Sequence, residues 1–300
     1  MKQVYDLVVV LPVGPDANMH HVTDTIESIL YYCRCNLKMI ITDDSQQNTG
    51  ALLKKMYPHV DILINKKRGG LNGGLYITLG KAFKHAVENY RFKTLLRIDT
   101  DALVIGENPQ ADAEALFNNY PNIGIAGLYK YGNEIIDFNN NVFDNRWPRN
   151  YMFDVTCTWR VIKRPVANTT LKKYFRLAFA NGYELGQNIF GGAYFLNEAF
   201  LISLANAGML PVYGLKNSRM EEDHLYSLFA KVAGFEMGDM ASGNLPFGVF
   251  WKRLPASPET LLDREKKIIH STHAWEEMNE DQIREYFKDR RTGHTTRVSA

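Results

Sequence analysis

Within the first hundred residues, short apolar runs alternate with helical stripes, and each run ends in acids, glycines or bases. The runs are Leu7–Val13 (LVVVLPV), Leu37–Ser45 (LKMIITDDS), Val60–Asn65 (VDILIN) and Thr94–Ile98 (TLLRI). Their near-continuous apolar character, rich in Val and Ile, marks strands buried on both faces. Between them, Val22, Ile26, Ile29 and Leu30 recur at the spacing of a helix face, as do Leu75, Leu79, Ala82, Phe83, Ala86, Val87 and Tyr90. Alternation of this kind builds right-handed βαβ crossovers. The expected fold is therefore α/β, with a mostly parallel central sheet and helices on both faces. In such sheets ligands bind beyond the carboxyl ends of the strands. Those ends carry Pro12-Val13-Gly14, Asp43-Asp44-Ser45, Lys66–Gly74 and Asp99-Thr100-Asp101, so four chemically rich segments are expected on one rim.

Composition narrows the class of protein. With 300 residues, 45% hydrophobic and 23% charged, the chain has enough apolar side chain for one large domain or two small ones, which excludes wholesale disorder. A net charge of +2 gives no indication of nucleic-acid binding. No apolar run is long enough to span a bilayer, and Leu7–Val13 reads as a strand rather than a signal peptide, so a cytoplasmic location is expected. Cys33, Cys35 and Cys157 lack any zinc-site spacing and are expected as reduced thiols in packing positions.

Beyond residue 105 the pattern loosens. Residues 106–185 mix Asn, Gly, Pro and aromatics. Trp159–Arg176 holds six bases and no acid, which fits either a solvated flap or a surface for an anionic acceptor or a membrane. Asn188–Leu196 reads as a turn and a strand. Asn197 is placed to cap a helix carrying Phe200, Leu201, Leu204 and Ala205, ended by Gly208. Ser218-x-x-Glu221 matches a capping box ahead of Leu225, Leu228, Phe229 and Val232, with Gly234 as the stop. Lys252–Arg264 reads as a loop, Lys266–Trp275 as a short strand with two histidines, and Glu276–Arg290 as a polar helix.

The common phosphate cradles are absent. Gly80-Lys81 lacks the leading glycine and the following hydroxyl of a P-loop, and Leu71 breaks a G-x-G-x-x-G reading of Gly69–Gly74. The loop after the first strand carries no base, unlike that of a sugar-nucleotide pyrophosphorylase. In Asp99-Thr100-Asp101, two carboxylates one residue apart follow a buried strand. They suit a hard divalent cation, which would bridge diphosphate oxygens. Asp43 and Asp44 fit turn chemistry, or a carboxylate accepting from a base N–H or ribose hydroxyl. Glu221-Glu222-Asp223 opens a helix, where acids complement the dipole or supply a general base for an acceptor hydroxyl. With a D-x-D present, His270, or His273 as second choice, is a candidate third ligand; such a mixed oxygen and nitrogen set suits Mn²⁺. Lys252 and Arg253 lie in a loop that is either solvated or closes over a diphosphate.

Taken in order, PV–DDS–RGG–DTD–GG–EED–His resembles the GT-A nucleotide-diphosphosugar transferases, most closely the family 2 glycosyltransferases. Pro12-Val13 resembles that family's opening V-I-I-P-x-x strand. Ile41–Gln46 is similar to its V-D-D-x-S segment, and Asn65–Gly74 to its N-x-G-x-x-x-A-x-N region. Asp99-Thr100-Asp101 resembles its D-x-D, Gly191-Gly192-Ala193 its acceptor-side turn, and Glu222-Asp223 with HLYSLFAKVAGF its E-D-x-x-L segment. The likeness covers about residues 5–240, with His270 or His273 as a looser match. The family's Gln-x-x-Arg-Trp segment is missing, which speaks against a processive polysaccharide synthase.

The resemblance implies a GT-A (Rossmann-like) fold. Residues 1–105 would form a nucleotide-sugar-binding half, 106–275 a mixed acceptor-binding and catalytic half of the same domain, and 276–300 a C-terminal helix and tail. It implies metal-dependent transfer of a sugar from a nucleotide-diphosphosugar, UDP favoured, to a hydroxyl of a glycan, lipid-linked or small-molecule acceptor, with inversion. Pro12, Val13, Asp43 or Asp44, Arg68 and Thr100 would then lie at the nucleotide, and Asp99 at the ribose or the metal. Asp101 and His270 would hold Mn²⁺ or Mg²⁺. Gly191, Gly192 and Glu222 would face the acceptor, Asp223 with Glu222 beside it would act as the base, and Lys252 and Arg253 would close on the diphosphate. A lipid-linked acceptor would add a peripheral membrane contact. Rival readings are a retaining GT-A enzyme, a sugar-phosphate nucleotidyltransferase and a donor-binding module without catalysis.

Overall fold

A computed structural model describes residues 2–131, 134–136, 142–144 and 163–293. The four apolar runs form strands β1 (Gln3–Val13), β2 (Leu37–Asp43), β3 (Asp61–Ile64) and β4 (Tyr90–Ile98), parallel to one another in the order β3-β2-β1-β4. Helices α1 (Met19–Tyr32), α2 (Thr49–Met56) and α3 (Gly73–Asn89) make the crossovers. β1 lies between two cores because its side chains alternate. Leu7, Val9 and Leu11 meet Val22, Ile26 and Ile29 of α1, whereas Val8 and Val10 share the opposite core with Phe83 of α3. Leu30, read from its spacing as core-facing, is 50% exposed, because it lies at the edge of the α1 stripe.

The chain then adds β5 (Ala102–Val104), α4 (Pro109–Asn119), β6 (Ile123–Gly127), β7 (Tyr129–Tyr131), β8 (Glu134–Ile136) and β9 (Val142–Asp144). After these come α5 (Pro165–Ala180), β10 (Asn188–Ile189), β11 (Ala193–Asn197), α6 (Glu198–Asn206), α7 (Glu222–Val232), β12 (Glu236–Asp239) and β13 (Phe247–Val249). The described part closes with α8 (Pro258–Asp263), β14 (Ile268–His270), a hairpin of Ala274–Trp275 with Met278–Asn279, and α9 (Glu280–Thr292). β11 pairs antiparallel with both β4 and β6, and β12 adds in parallel beyond β6, completing a seven-stranded sheet drawn from both halves of the chain. β7–β10 form a second sheet, and β13-β14-β5 a third, in which β14 runs antiparallel to β5. The fold is α/β with a mostly parallel central sheet.

Several local expectations change. The described parts of residues 106–185 are more regular than their composition suggests: Pro109 and Pro165 each open a helix, a position where proline's missing N–H costs nothing. The flap reading of Trp159–Arg176 fails for its C-terminal part, because α5 buries Leu171, Tyr174 and Phe175, with Tyr174 edge-on to Phe229 of α7. Residues 159–162 and Cys157 lie outside the described residues. Asn197 caps α6 as expected. The capping box at Ser218 does not form: the Ser218 hydroxyl accepts from Met220 N–H, and α7 starts at Glu222. Part of the Lys252–Arg264 loop is α8, capped by Ser257. α9 starts later than its polar pattern suggests, because Asn279 and Gln282 form the capping box. Cys33 and Cys35 are unbridged, and burial pushes both thiols up, Cys35 to about 11.

No described helix is long and apolar enough to cross a membrane.

Candidate active site

Strand pairing assembles the site from distant segments. β4 delivers Asp99, whose N–H donates to Gly192 O at 2.7 Å across the β4–β11 pair. The β5–β14 register sets His270 opposite Ala102, next to Asp101. Thr272 N–H then donates to Asp101 O at 2.9 Å. A cleft of about 680 Å³ opens here. Its walls include Asp99, Asp101 and His270 on one side, Glu222 and Asp223 from the start of α7 on another, and the Gly191-Gly192 turn between. Gly192 has φ +92°, and a Cβ there would lie 2.4 Å from His270 Nδ1, so the imidazole packs where only glycine leaves room.

Asp99, Asp101 and His270 each offer one ligand atom, all within 4.8 Å of one another. His270 Nδ1–H donates to Phe250 O at 3.1 Å, which turns Nε2 toward Asp101 Oδ2, 3.4 Å away. His273 Nε2 approaches the same oxygen at 3.2 Å. In the neutral imidazoles, lone pairs would thus converge on a carboxylate, an arrangement that a cation relieves. Two carboxylates and an imidazole suit Mn²⁺ or Mg²⁺, so the donor set fits a divalent ion. Burial pushes Asp101 up, but His270 and His273 outweigh it and hold the carboxyl well below the usual range. For His270, burial disfavours the charged ring, yet Asp101 holds its pKa above the ordinary value.

Arg97 was not among the sequence-derived candidates. It is 1% exposed, donates NH1 to Asp99 Oδ2 at 2.9 Å, and sets NH2 2.9 Å from both Asp99 Oδ1 and Glu222 Oε1. The signal for it was a charge inside the buried run TLLRI, since a buried guanidinium must be paired. Burial pushes the Glu222 carboxyl up to about 8, against the pull of Arg97. The folded chain therefore keeps a proton that the unfolded chain releases near 4.5, so this group's contribution to stability falls as pH rises from about 4.5 to about 8. Glu222→Gln, neutral at every pH, is expected to flatten that fall, raising the thermal midpoint relative to the unaltered chain more at pH 8 than at pH 5. An identical pH dependence in the variant would remove Glu222 as its source.

Asp223 is held by backbone: Gly191 N–H donates to Oδ2 and His224 N–H to Oδ1, each at 2.7 Å. Apart from Asp99, the nucleotide-side candidates are not among the residues lining the cleft. Asp43 is buried, with Oδ1 accepting from Ser45 N–H and Oδ2 from Gly50 N–H, so both oxygens serve the turn into α2. Asp44 is half-buried and accepts from Gly69 and Gly70 N–H and from Asn65, thereby shaping the loop that delivers Leu71 and Asn72 to the cleft wall. Arg68 is exposed on that loop. Pro12 and Val13 end β1, and Val13 O accepts from Asp44 N–H. Thr100 O accepts from Thr25 and Arg284. Lys252 lines the cleft with its ammonium over the Trp251 ring, whereas Arg253 rests over Phe250.

Among solved structures, the chain is similar to the mannosyltransferase PcManGT from Pyrobaculum calidifontis in complex with GDP-Man and Mn²⁺. The identity is 12% and the TM-score 0.46, over 80% of this chain and 56% of that one. It is also similar to TarS of S. aureus, at 11% identity and a TM-score of 0.44, over 98% of this chain and 44% of that one. The chain thus spans about half the length of each. No protein-family model matches it, and no curated protein does.

Proposed function

We propose that the protein is a metal-dependent glycosyltransferase of the GT-A type, akin to family 2. It would move a sugar from a nucleotide-diphosphosugar, UDP favoured, to an acceptor hydroxyl with inversion. The observation that carries this reading is the shared cleft: a cation-fitting Asp99–Asp101–His270 cluster and the Asp223 carboxylate line one cavity. Bound by Asp101 and His270, with Asp99 beside them, Mn²⁺ or Mg²⁺ would neutralise charge developing on the departing diphosphate. Asp223 is the base, taking the acceptor hydroxyl proton as that oxygen attacks the anomeric carbon; its two backbone hydrogen bonds fix the carboxylate plane for the transfer. Glu222 suits that role less, being turned to Arg97 and pushed up to about 8. Its part is to share Arg97 with Asp99. Lys252 reaches the diphosphate from the rim. Leu75, Leu128, Phe190 and Trp251 give the cleft an apolar wall suited to the carbon face of a sugar or to a lipid portion of the acceptor.

A panel of nucleotide sugars with Mn²⁺, followed by nucleotide release, tests the assignment, and NMR of the product anomer tests inversion. UDP-sugar turnover that stops on chelation is expected. Failure of every nucleotide sugar, with pyrophosphate released instead from a sugar phosphate and a nucleoside triphosphate, would move the protein to the nucleotidyltransferases.

A further inference from the structure

We propose that the C-terminal helix α9 is a positioning element of the metal site, with Glu280 as its central residue. This rests on the metal-dependent reading above. Glu280 is 17% exposed at its side chain and lies at the start of α9. Its Oε2 accepts from His273 Nδ1–H at 2.7 Å, and the other ring nitrogen of His273 lies 3.2 Å from Asp101 Oδ2. Its Oε1 accepts from Arg284 Nε at 3.0 Å and lies 3.0 Å from the Thr272 hydroxyl. That hydroxyl is also 3.0 Å from Asp101 O, and Arg284 NH2 donates to Thr100 O at 2.6 Å. Glu280 is thus connected to the Asp101 side chain through one histidine and to the Thr100–Asp101 backbone through two further residues.

The anchor behind it is buried. Arg284 NH1 and Arg291 NH2 donate to the two oxygens of Asp24 on α1, at 3.1 and 2.7 Å, and all three residues are at most 5% exposed. α9 is therefore fixed to the same helix whose Thr25 hydroxyl donates to Thr100 O and Ala102 O. Carboxylates that orient a histidine at a metal site fix the ring and its tautomer, and their loss weakens metal binding by about 10–100-fold. Glu280 is placed to do this for His273 while Arg284 and Thr272 steady the adjacent backbone.

The test is Mn²⁺ affinity of the full chain, read from the EPR signal of free Mn²⁺, beside the thermal midpoint of the metal-free protein. Glu280→Ala is expected to weaken Mn²⁺ binding about 10–100-fold, with Glu280→Gln in between because one acceptor oxygen remains. His273→Ala should weaken it too, and the Glu280→Ala/His273→Ala pair should lose less than the product of the two single losses. Should Glu280→Ala fail to fold, Glu280→Gln and His273→Ala, the latter altering a side chain 53% exposed, still decide the matter. Unchanged affinity in a folded Glu280 variant, or fully multiplicative losses, overturns the positioning role while leaving the transferase reading intact. No Mn²⁺ binding by the unaltered chain overturns both.

Discussion

An Asp101→Asn variant is expected to lose metal-supported sugar-nucleotide turnover by a factor on the order of 10²–10³, with the fold retained. Lewis-acid stabilisation of a departing diphosphate is worth several kcal/mol, and each ~1.4 kcal/mol is tenfold in rate. The amide removes the charge and turns an N–H donor toward the point where His270 and His273 aim their Nε2 atoms. That donor satisfies the imidazoles without a cation, which is why the chain should still fold. The backbone clamp from Thr272 to Asp101 O is unaffected, since it does not use the side chain. Turnover at several Mn²⁺ concentrations, beside circular dichroism, checks this. Normal turnover in the variant would take Asp101 out of the site.

Asp223→Asn should cost turnover about 10²–10⁴-fold, the usual worth of a positioned general base, while leaving the donor's affinity little changed. A modest loss of stability, about 1–3 kcal/mol, is also expected, because an amide has one oxygen for the two backbone donors, Gly191 N–H and His224 N–H, that the carboxylate now satisfies. Calorimetry with UDP and Mn²⁺ separates the two roles. Retained binding with lost transfer places Asp223 at the reacting hydroxyl, whereas a chain that melts early yet transfers at the normal rate once folded would make it a purely structural residue.

Much of the N-terminal frame was readable along the chain. Continuous apolar runs and helical stripes are properties of neighbouring residues, so β1 to β4 and the crossover helices α1 and α3 follow from spacing. Asp99, Asp101, Glu222 and Asp223 were also legible as candidates, because acids at strand and helix ends stand out against apolar surroundings; His270 became one only as a third ligand beside a D-x-D, and the structure gathers all five in one cleft. Asp43 shows the limit. The same residue type in the same setting turned out to be occupied by Ser45 and Gly50 backbone, a hydrogen-bond outcome that local composition does not encode.

The sequence by itself determined the alternation that makes the sheet parallel, the positions of its polar strand ends and the identity of the acids on them. Only the tertiary structure decided which of those groups meet. His270 stands beside Asp101 because β14 pairs with β5 in one register, and Arg97 joins Asp99 to Glu222 because α7 starts beside the end of β4. α9, legible in the sequence only as a polar helix, is anchored through Asp24 and reaches His273 through Glu280. The physical reason is range. Periodicity and capping act over a few residues, whereas a buried charge chooses its partner from whatever the folded chain brings within hydrogen-bond distance, however far away it lies in the sequence.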